Sequence, residues 1–239
     1  LNNRDTRHFD MHEFTEQIGT VLQDTDSQFV GLSIGEDIAF ALENQQMATN
    51  EMHCIVTNTA KMVDLDEMLD LSPHDLSGGQ KQRVSLGGVL VDDVDTLLFD
   101  EPLASLDPKT GKATIEIIDQ LHKSTHKTII IIEHRLEDVL HRHVDRVILM
   151  EQGEIVADCT PNVLLASPLL EQHGIREPLY LSALKAANSS ISADENLSSL
   201  VSFNIEKHQQ TLNNWFNARP ETTPTPYTEP LLSIQDLTY

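Results

Sequence analysis

The sequence predicts an α/β fold, a parallel sheet flanked by helices with an α-helical subdomain, and three observations lead there. Two short, continuous apolar runs, residues 96–99 and the β-branched 128–132, have the character of strands buried in a parallel sheet. A helix-period segment opened by Pro108 lies between them, with Ile115, Ile118 and Leu121 on its inner face. The first run delivers two adjacent carboxylates, Asp100 and Glu101, to the carboxyl end of its strand, where ligands of open α/β sheets bind.

Composition sets the outer limits. The 239 residues suffice for one or two domains with a sizeable core. Hydrophobic residues make up 39% and aromatics 5%, and 38 acidic against 16 basic residues leave a net charge of −22. Such a balance repels nucleic-acid phosphates and bare anionic lipid, so no nucleic-acid partner is expected and a basic protein surface is the more natural partner. The longest apolar run falls far short of the ~18 residues needed to cross a bilayer. Cys54 and Cys159 lie far apart and form no metal or redox spacing. The chain starts at Leu1 rather than Met, and we expect an internal fragment.

In chain order, residues 12–17 read as helix, and the alternation of Ile18, Thr20 and Leu22 reads as a strand running to Gln23. Residues 24–92 form the helical block. Ile34, Ile38, Ala39 and Leu42 keep a 3.6 period behind a Ser33/Glu36 capping box, and further helices are expected over 49–62 and 66–69. A helix over 77–91 carries Gly87 and Gly88, each costing about 1 kcal/mol of helix propensity, and close packing is the one account the sequence offers for them. The 128–132 run reads as a central parallel strand with His134 just past its end. A helix over 136–141 follows, then strands 146–150 and 154–157 joined by a Gln152-Gly153 turn. From about residue 186 serine, asparagine and glutamate dominate, so 186–228 reads as a linker with a short helix, and the last nine residues, 231–239, alternate like a strand.

The stretch that organises the chain is 76–107, LSGGQKQRVSLGGVLVDDVDTLLFDEPLASLD. Ser77, Gly78 and Gly79 lack bulk, so backbone N–H groups and a hydroxyl can approach an anion where a helix begins and its dipole is positive. Asp100 and Glu101 suit a magnesium ion and an activated water. Alone, the first motif is a helix cap and the second a turn; in this order, with a helix between, chance is a poor explanation.

LSGGQ at 76–80, TLLFDEP at 96–102 and ASLD at 104–107 together resemble the signature, Walker B and D-loop of the nucleotide-binding domain of ABC ATPases. VLQD at 21–24 resembles the Q-loop, His134 the H-loop, and DSQFVGLSIGEDIAFALEN at 26–44 the matching segment of energy-coupling-factor importers of vitamins and metal ions. The resemblance implies a partial P-loop NTPase sheet over 1–185, with ATP and Mg2+ as cofactors. It implies Asp100 and Gln23 at the metal, Glu101, His134 and Gln23 in catalysis, Ser77, Gly78, Gly79 and Gln80 on ATP held by a facing domain, and Asp107 in communication between the two sites. It also implies partners: a transmembrane subunit docked on the helical subdomain at the cytoplasmic membrane face, and a second ABC ATPase domain, in tandem if 229–239 begins one.

One family element has no counterpart. No G-x-x-x-x-G-K-[ST] occurs in the sequence, and that loop cradles the β- and γ-phosphates. We expect it upstream of Leu1, with weak ATP binding by these residues alone and an uncovered sheet edge or core face. A soluble ABC ATPase of DNA repair or translation, and a catalytically dead interaction module, are the competing readings; the acidic charge and the importer-like 26–44 segment weigh against the first.

Overall fold

The computed structural model describes residues 1, 4–92, 94–104, 106–199 and 202–219. After α1 (Met11–Thr15), closed at its start by an Asp10/Glu13 capping box, the chain enters β1 (Ile18–Val21). The helical block follows as α2 (Ile34–Asn44), α3 (Thr49–Met62) and α4 (Gly78–Leu90). Then come β2 (Thr96–Asp100), α5 (Pro108–Thr125), β3 (Thr128–Ile132) and the short α6 (Leu136–Val139). Strands β1, β2 and β3 pair in that order, all parallel, with Ile18 opposite Thr96, Val21 opposite Phe99 and Asp100 opposite Ile132.

The sheet confirms the α/β expectation and corrects one detail. Among the described residues β3 is an edge strand rather than a central one, because nothing pairs along its far side. Its alternate residues Ile130 and Ile132 are 47% and 51% exposed, the kind of uncovered core face the sequence reading anticipates.

Helix α2 buries Ile34, Ile38 and Leu42 against Val84 and Leu86 of α4, the stripe its 3.6 period foretells. Ser33 accepts from the Glu36 amide, but the Glu36 carboxylate caps Leu32 N (2.9 Å) rather than Ser33, so the reciprocal half of the box is shifted by one residue. The helix expected over 66–69 does not form. Carbonyls at its end and just beyond are committed elsewhere: Leu69 O and Leu71 O accept from Gly35 N and Ile34 N at 2.9 Å each, satisfying the open amides of α2, while 65–71 proceeds in tight turns. Buried Asp37 accepts from Val30 N (2.8 Å) and Gly31 N (3.0 Å), fixing the loop that enters this block.

The second half carries its own core. Hairpin β4 (Val147–Glu151) and β5 (Glu154–Cys159) turns through Gln152 and Gly153, both at positive φ, as a two-residue hairpin loop requires. Helices α7 (Pro161–Ala166), α8 (Leu169–Gln172) and α9 (Leu179–Ala186) bury Leu164, Leu165, Leu170, Leu181 and Leu184 together. Residues read from composition as the start of a linker add Leu197 and Phe203 to this core. Buried His208 lies between Ser189 Oγ (2.8 Å) and Glu195 Oε2 (3.1 Å) and stacks on Phe203, anchoring the start of α10 (Gln209–Asn217). The expected second-domain strand at 229–239 lies outside the described residues. Among the described residues no helix is long and apolar enough to cross a membrane.

The glycine pair of α4 now separates into two cases. A Cβ on Gly87 would lie 3.1 Å from Ile38 Cδ1, so this glycine lets α2 and α4 approach closely; a Cβ on Gly88 would meet only Asp37 O, at 3.9 Å. Gly88→Ala should therefore stabilise the chain by up to about 1 kcal/mol through helix propensity. Gly87→Val, which must displace Ile38, should cost about 1–3 kcal/mol. Denaturant unfolding of the two variants against the parent chain measures both.

Candidate nucleotide site

The carboxyl ends of β1, β2 and β3 build one corner. The backbone carries on past β2 with one more ladder-like bond, Glu101 N to Ile132 O (2.9 Å), and then turns sharply with Glu101 at φ 46°. That turn is closed by Ala104 N to Glu101 O (3.1 Å) and Leu106 N to Leu103 O (3.2 Å). Gln23, two residues beyond β1, donates from Nε2 to Glu101 Oε2 at 2.8 Å. His134 Nδ1 stands 3.9 Å from Glu101 Oε1 on the other side. Three residues distant in sequence thus meet on one carboxylate, with His134 65% and Glu101 35% exposed, open to a ligand. Asp100 occupies the last position of β2.

Two residues in this corner escaped the sequence reading. Glu133, 2% exposed, turns back so that Oε1 accepts from His134 N (2.9 Å) and Arg135 N (3.0 Å) and lies 3.3 Å from His134 Nδ1; Oε2 has no partner among the described residues. Arg135 reaches the opposite way, donating to Leu103 O (2.8 Å) and Leu106 O (3.3 Å) and pairing with Asp138 (2.6 Å). The EHRLEDV run held the signal, in a carboxylate and a guanidinium flanking the histidine.

The signature residues occupy a different neighbourhood. Ser77 precedes α4; its N–H and its hydroxyl both donate to Gln80 Oε1 at 2.9 Å, while Gln80 Nε2 faces Met68 Sδ at 3.4 Å. Ser77 and Gly78 are exposed, so the open amides of the first helical turn face solvent. Gly79 is required by packing: a Cβ there would sit 2.4 Å from Thr110 Cγ2 at the start of α5. Asp107 caps α5, accepting from Lys109 N (3.0 Å), Thr110 N (3.2 Å) and the Thr110 hydroxyl. Those hydrogen bonds, the Thr110 hydroxyl foremost, hold its carboxyl below the usual carboxylate range.

The donor chemistry fits a magnesium ion bound with a phosphate ligand. Hard carboxylate oxygens are available at Asp100 and Glu101, yet no group of three or more His, Cys, Asp or Glu side chains among the described residues forms a metal cage of its own. Mg2+ takes one or two carboxylates and completes its shell with phosphate oxygens and water.

Strand ends that gather carboxylates at a solvent-open corner, together with a separate helix begun by serine and glycine, are features of the nucleotide-binding class of α/β proteins. The ABC transporter family matches residues 1–104, and a family described as ATP-binding cassette cobalt transporter matches 167–239. A putative ABC transporter ATP-binding protein of Vibrio parahaemolyticus is 67% identical over all of this chain and 41% of its own length. One of Clostridium perfringens is 51% identical over 91% of this chain and 38% of its own. The structure of cbiO1 from Clostridium perfringens, described as part of the ABC transporter complex cbiONQ, superposes with a TM-score of 0.63 at 30% identity, covering 73% of this chain and 69% of that one. The chain belongs to the ABC transporter ATP-binding family, and it spans about two fifths of the length of the curated relatives it matches most fully.

The lowered carboxyl of Asp107 gives the α5 cap a pH signature. A group depressed in the folded state contributes stability that is complete above its unfolded value, near about 3.9, and is lost as pH falls through the lower folded value. Asp107→Asn, which keeps a capping oxygen without the charge, should remove this part of the acid-side loss. Thermal midpoints of both chains from neutral pH downward check it; parallel curves would contradict the assignment.

Proposed function

We propose that these residues form the catalytic and signature portions of an ATP-hydrolysing subunit of an ABC importer of the energy-coupling-factor type. The observation that carries the reading is the convergence of Gln23 and His134 on Glu101 at the ends of adjacent parallel strands.

Each residue then has a task. Glu101 accepts from Gln23 and, with its second oxygen turned toward His134, is placed to polarise a water. His134 offers ring nitrogens to a phosphate oxygen and to that water. Asp100 and Gln23 would hold Mg2+, which when bound neutralises charge on the phosphates. The exposed turn at Ser77, Gly78, Gly79 and Gln80 would meet ATP held by a facing ABC ATPase domain, where amides and a positive helix end favour anions. Asp107, one turn of packing away through Thr110 and Gly79, would carry information between the two sites.

The reading needs a phosphate-binding loop that this sequence does not contain. We place the assembly at the cytoplasmic face of a membrane, with the helical block against a transmembrane subunit. Val30, Leu32 and Leu71 there are 59%, 86% and 50% exposed, an apolar surface suited to a protein partner. The transported species is a small molecule or metal ion. The cobalt-transporter description matched at 167–239 supports a metal ion.

In the full-length protein Glu101→Gln should retain ATP binding and lower turnover by about two orders of magnitude or more, read by steady-state hydrolysis and by retention of labelled nucleotide. Unchanged hydrolysis would reject the assignment of the base. The 239-residue chain by itself should bind ATP weakly and hydrolyse it negligibly, checked by calorimetry and phosphate release.

A further inference from the structure

The residues on either side of His134 are tied to opposite places. Glu133 is buried and folds its carboxylate back under the His134 and Arg135 amides. Arg135 sends its guanidinium across to the turn that follows Glu101, where one nitrogen bonds two carbonyls, Leu103 O and Leu106 O, and another pairs with Asp138 on α6. Leu103 is fully buried and Leu106 nearly so, so these carbonyls have little water to replace a lost donor.

We propose that Glu133 and Arg135 clamp the histidine loop, with Arg135 the positioning residue that locks it to the 101–107 turn leading from Glu101 to Asp107. The inference rests on the ATPase reading above and adds to it a mechanical link within one chain. A planar guanidinium can bridge two carbonyls and a carboxylate at once, which a lysine ammonium on a flexible stem cannot do in the same geometry. Movement of Asp107 against a facing domain then shifts the loop that presents His134, and the reverse holds. The Arg135 guanidinium is taken up by Leu103 O, Leu106 O and Asp138, so its expected effect is on turnover and not on ATP affinity.

The test uses the full-length protein and compares wild type, Arg135→Lys and Arg135→Ala, with Glu101→Gln as reference. We read kcat, KM for ATP, thermal midpoint and amide hydrogen exchange across 103–110. Expected for both Arg135 variants is a loss of about ten- to a hundredfold in kcat, as small misplacements of catalytic groups produce. KM should stay within about twofold, the Lys variant should melt within about 2 °C of wild type, and exchange across 103–110 should quicken. Unchanged kcat in Arg135→Ala overturns the proposal. So does a rise in KM at constant kcat, which would make Arg135 a nucleotide contact, or wild-type behaviour of Arg135→Lys, which would make charge sufficient. Loss of thermal stability in both variants in step with kcat also overturns it, leaving a structural role alone; if only the Ala variant unfolds, the Lys variant decides. Failure of the underlying reading looks different: wild type itself would not hydrolyse ATP, or Glu101→Gln would hydrolyse it normally.

Discussion

The corner formed by Gln23, Glu101 and His134 depends on the unshifted parallel register of β1, β2 and β3. Val21 faces Phe99, and Asp100 faces Ile132, so two residues beyond the first pair stand Gln23 and Glu101, and two beyond Ile132 stands His134. A slip of one residue would turn every side chain to the opposite face, taking Leu97 and Phe99 out of the core and Glu101 away from both partners. Hydrophobic burial, which is not directional, therefore fixes the geometry of polar groups that contribute little to stability themselves. The positive φ of Glu101 adds a local cost there, sustained by the hydrogen bonds that close the turn behind it.

Much of this was legible because it is periodic or locally coded. The apolar runs at 96–99 and 128–132, the Pro108 helix start and the 3.6-residue stripe of α2 each have a pattern that a single segment can display. The hairpin at Gln152-Gly153 needed only two residues that tolerate positive φ. What failed was decided by partners remote in sequence. Residues 66–69 have helical composition, but the carbonyls of Leu69 and Leu71 are taken by α2, and no local rule announces that. The low-complexity look of 186–199 hid Leu197 because a single leucine among serines has no period, yet it fills the second core.

The site divides the same way. Asp100 and Glu101 could be singled out from the strand they end, while Gln23 and His134 entered through the VLQD and histidine-loop resemblance; the structure brings Gln23 and His134 up to Glu101 at neighbouring strand ends. Glu133 and Arg135 were passed over because their roles lie in the directions of their side chains, one folding back on its own loop and the other crossing to the turn at 103–106. The signature turn and the Asp107 cap looked like separate motifs in sequence; the absence of a Cβ at Gly79 lets them touch through Thr110.

The exposed isoleucines of β3 have a colloidal consequence. Among the described residues β3 is an unpaired parallel edge bearing Ile130 and Ile132, a template on which a second copy could add a strand, and ordinary edge protection by lysine is missing from its tip at Ile132. What opposes that encounter is the net charge of −22, which makes copies repel at long range. Such repulsion shortens with the Debye length, from about 30 Å in 0.01 M salt to about 8 Å at physiological ionic strength. Added salt therefore weakens the repulsion while leaving the attraction of the uncovered edge intact.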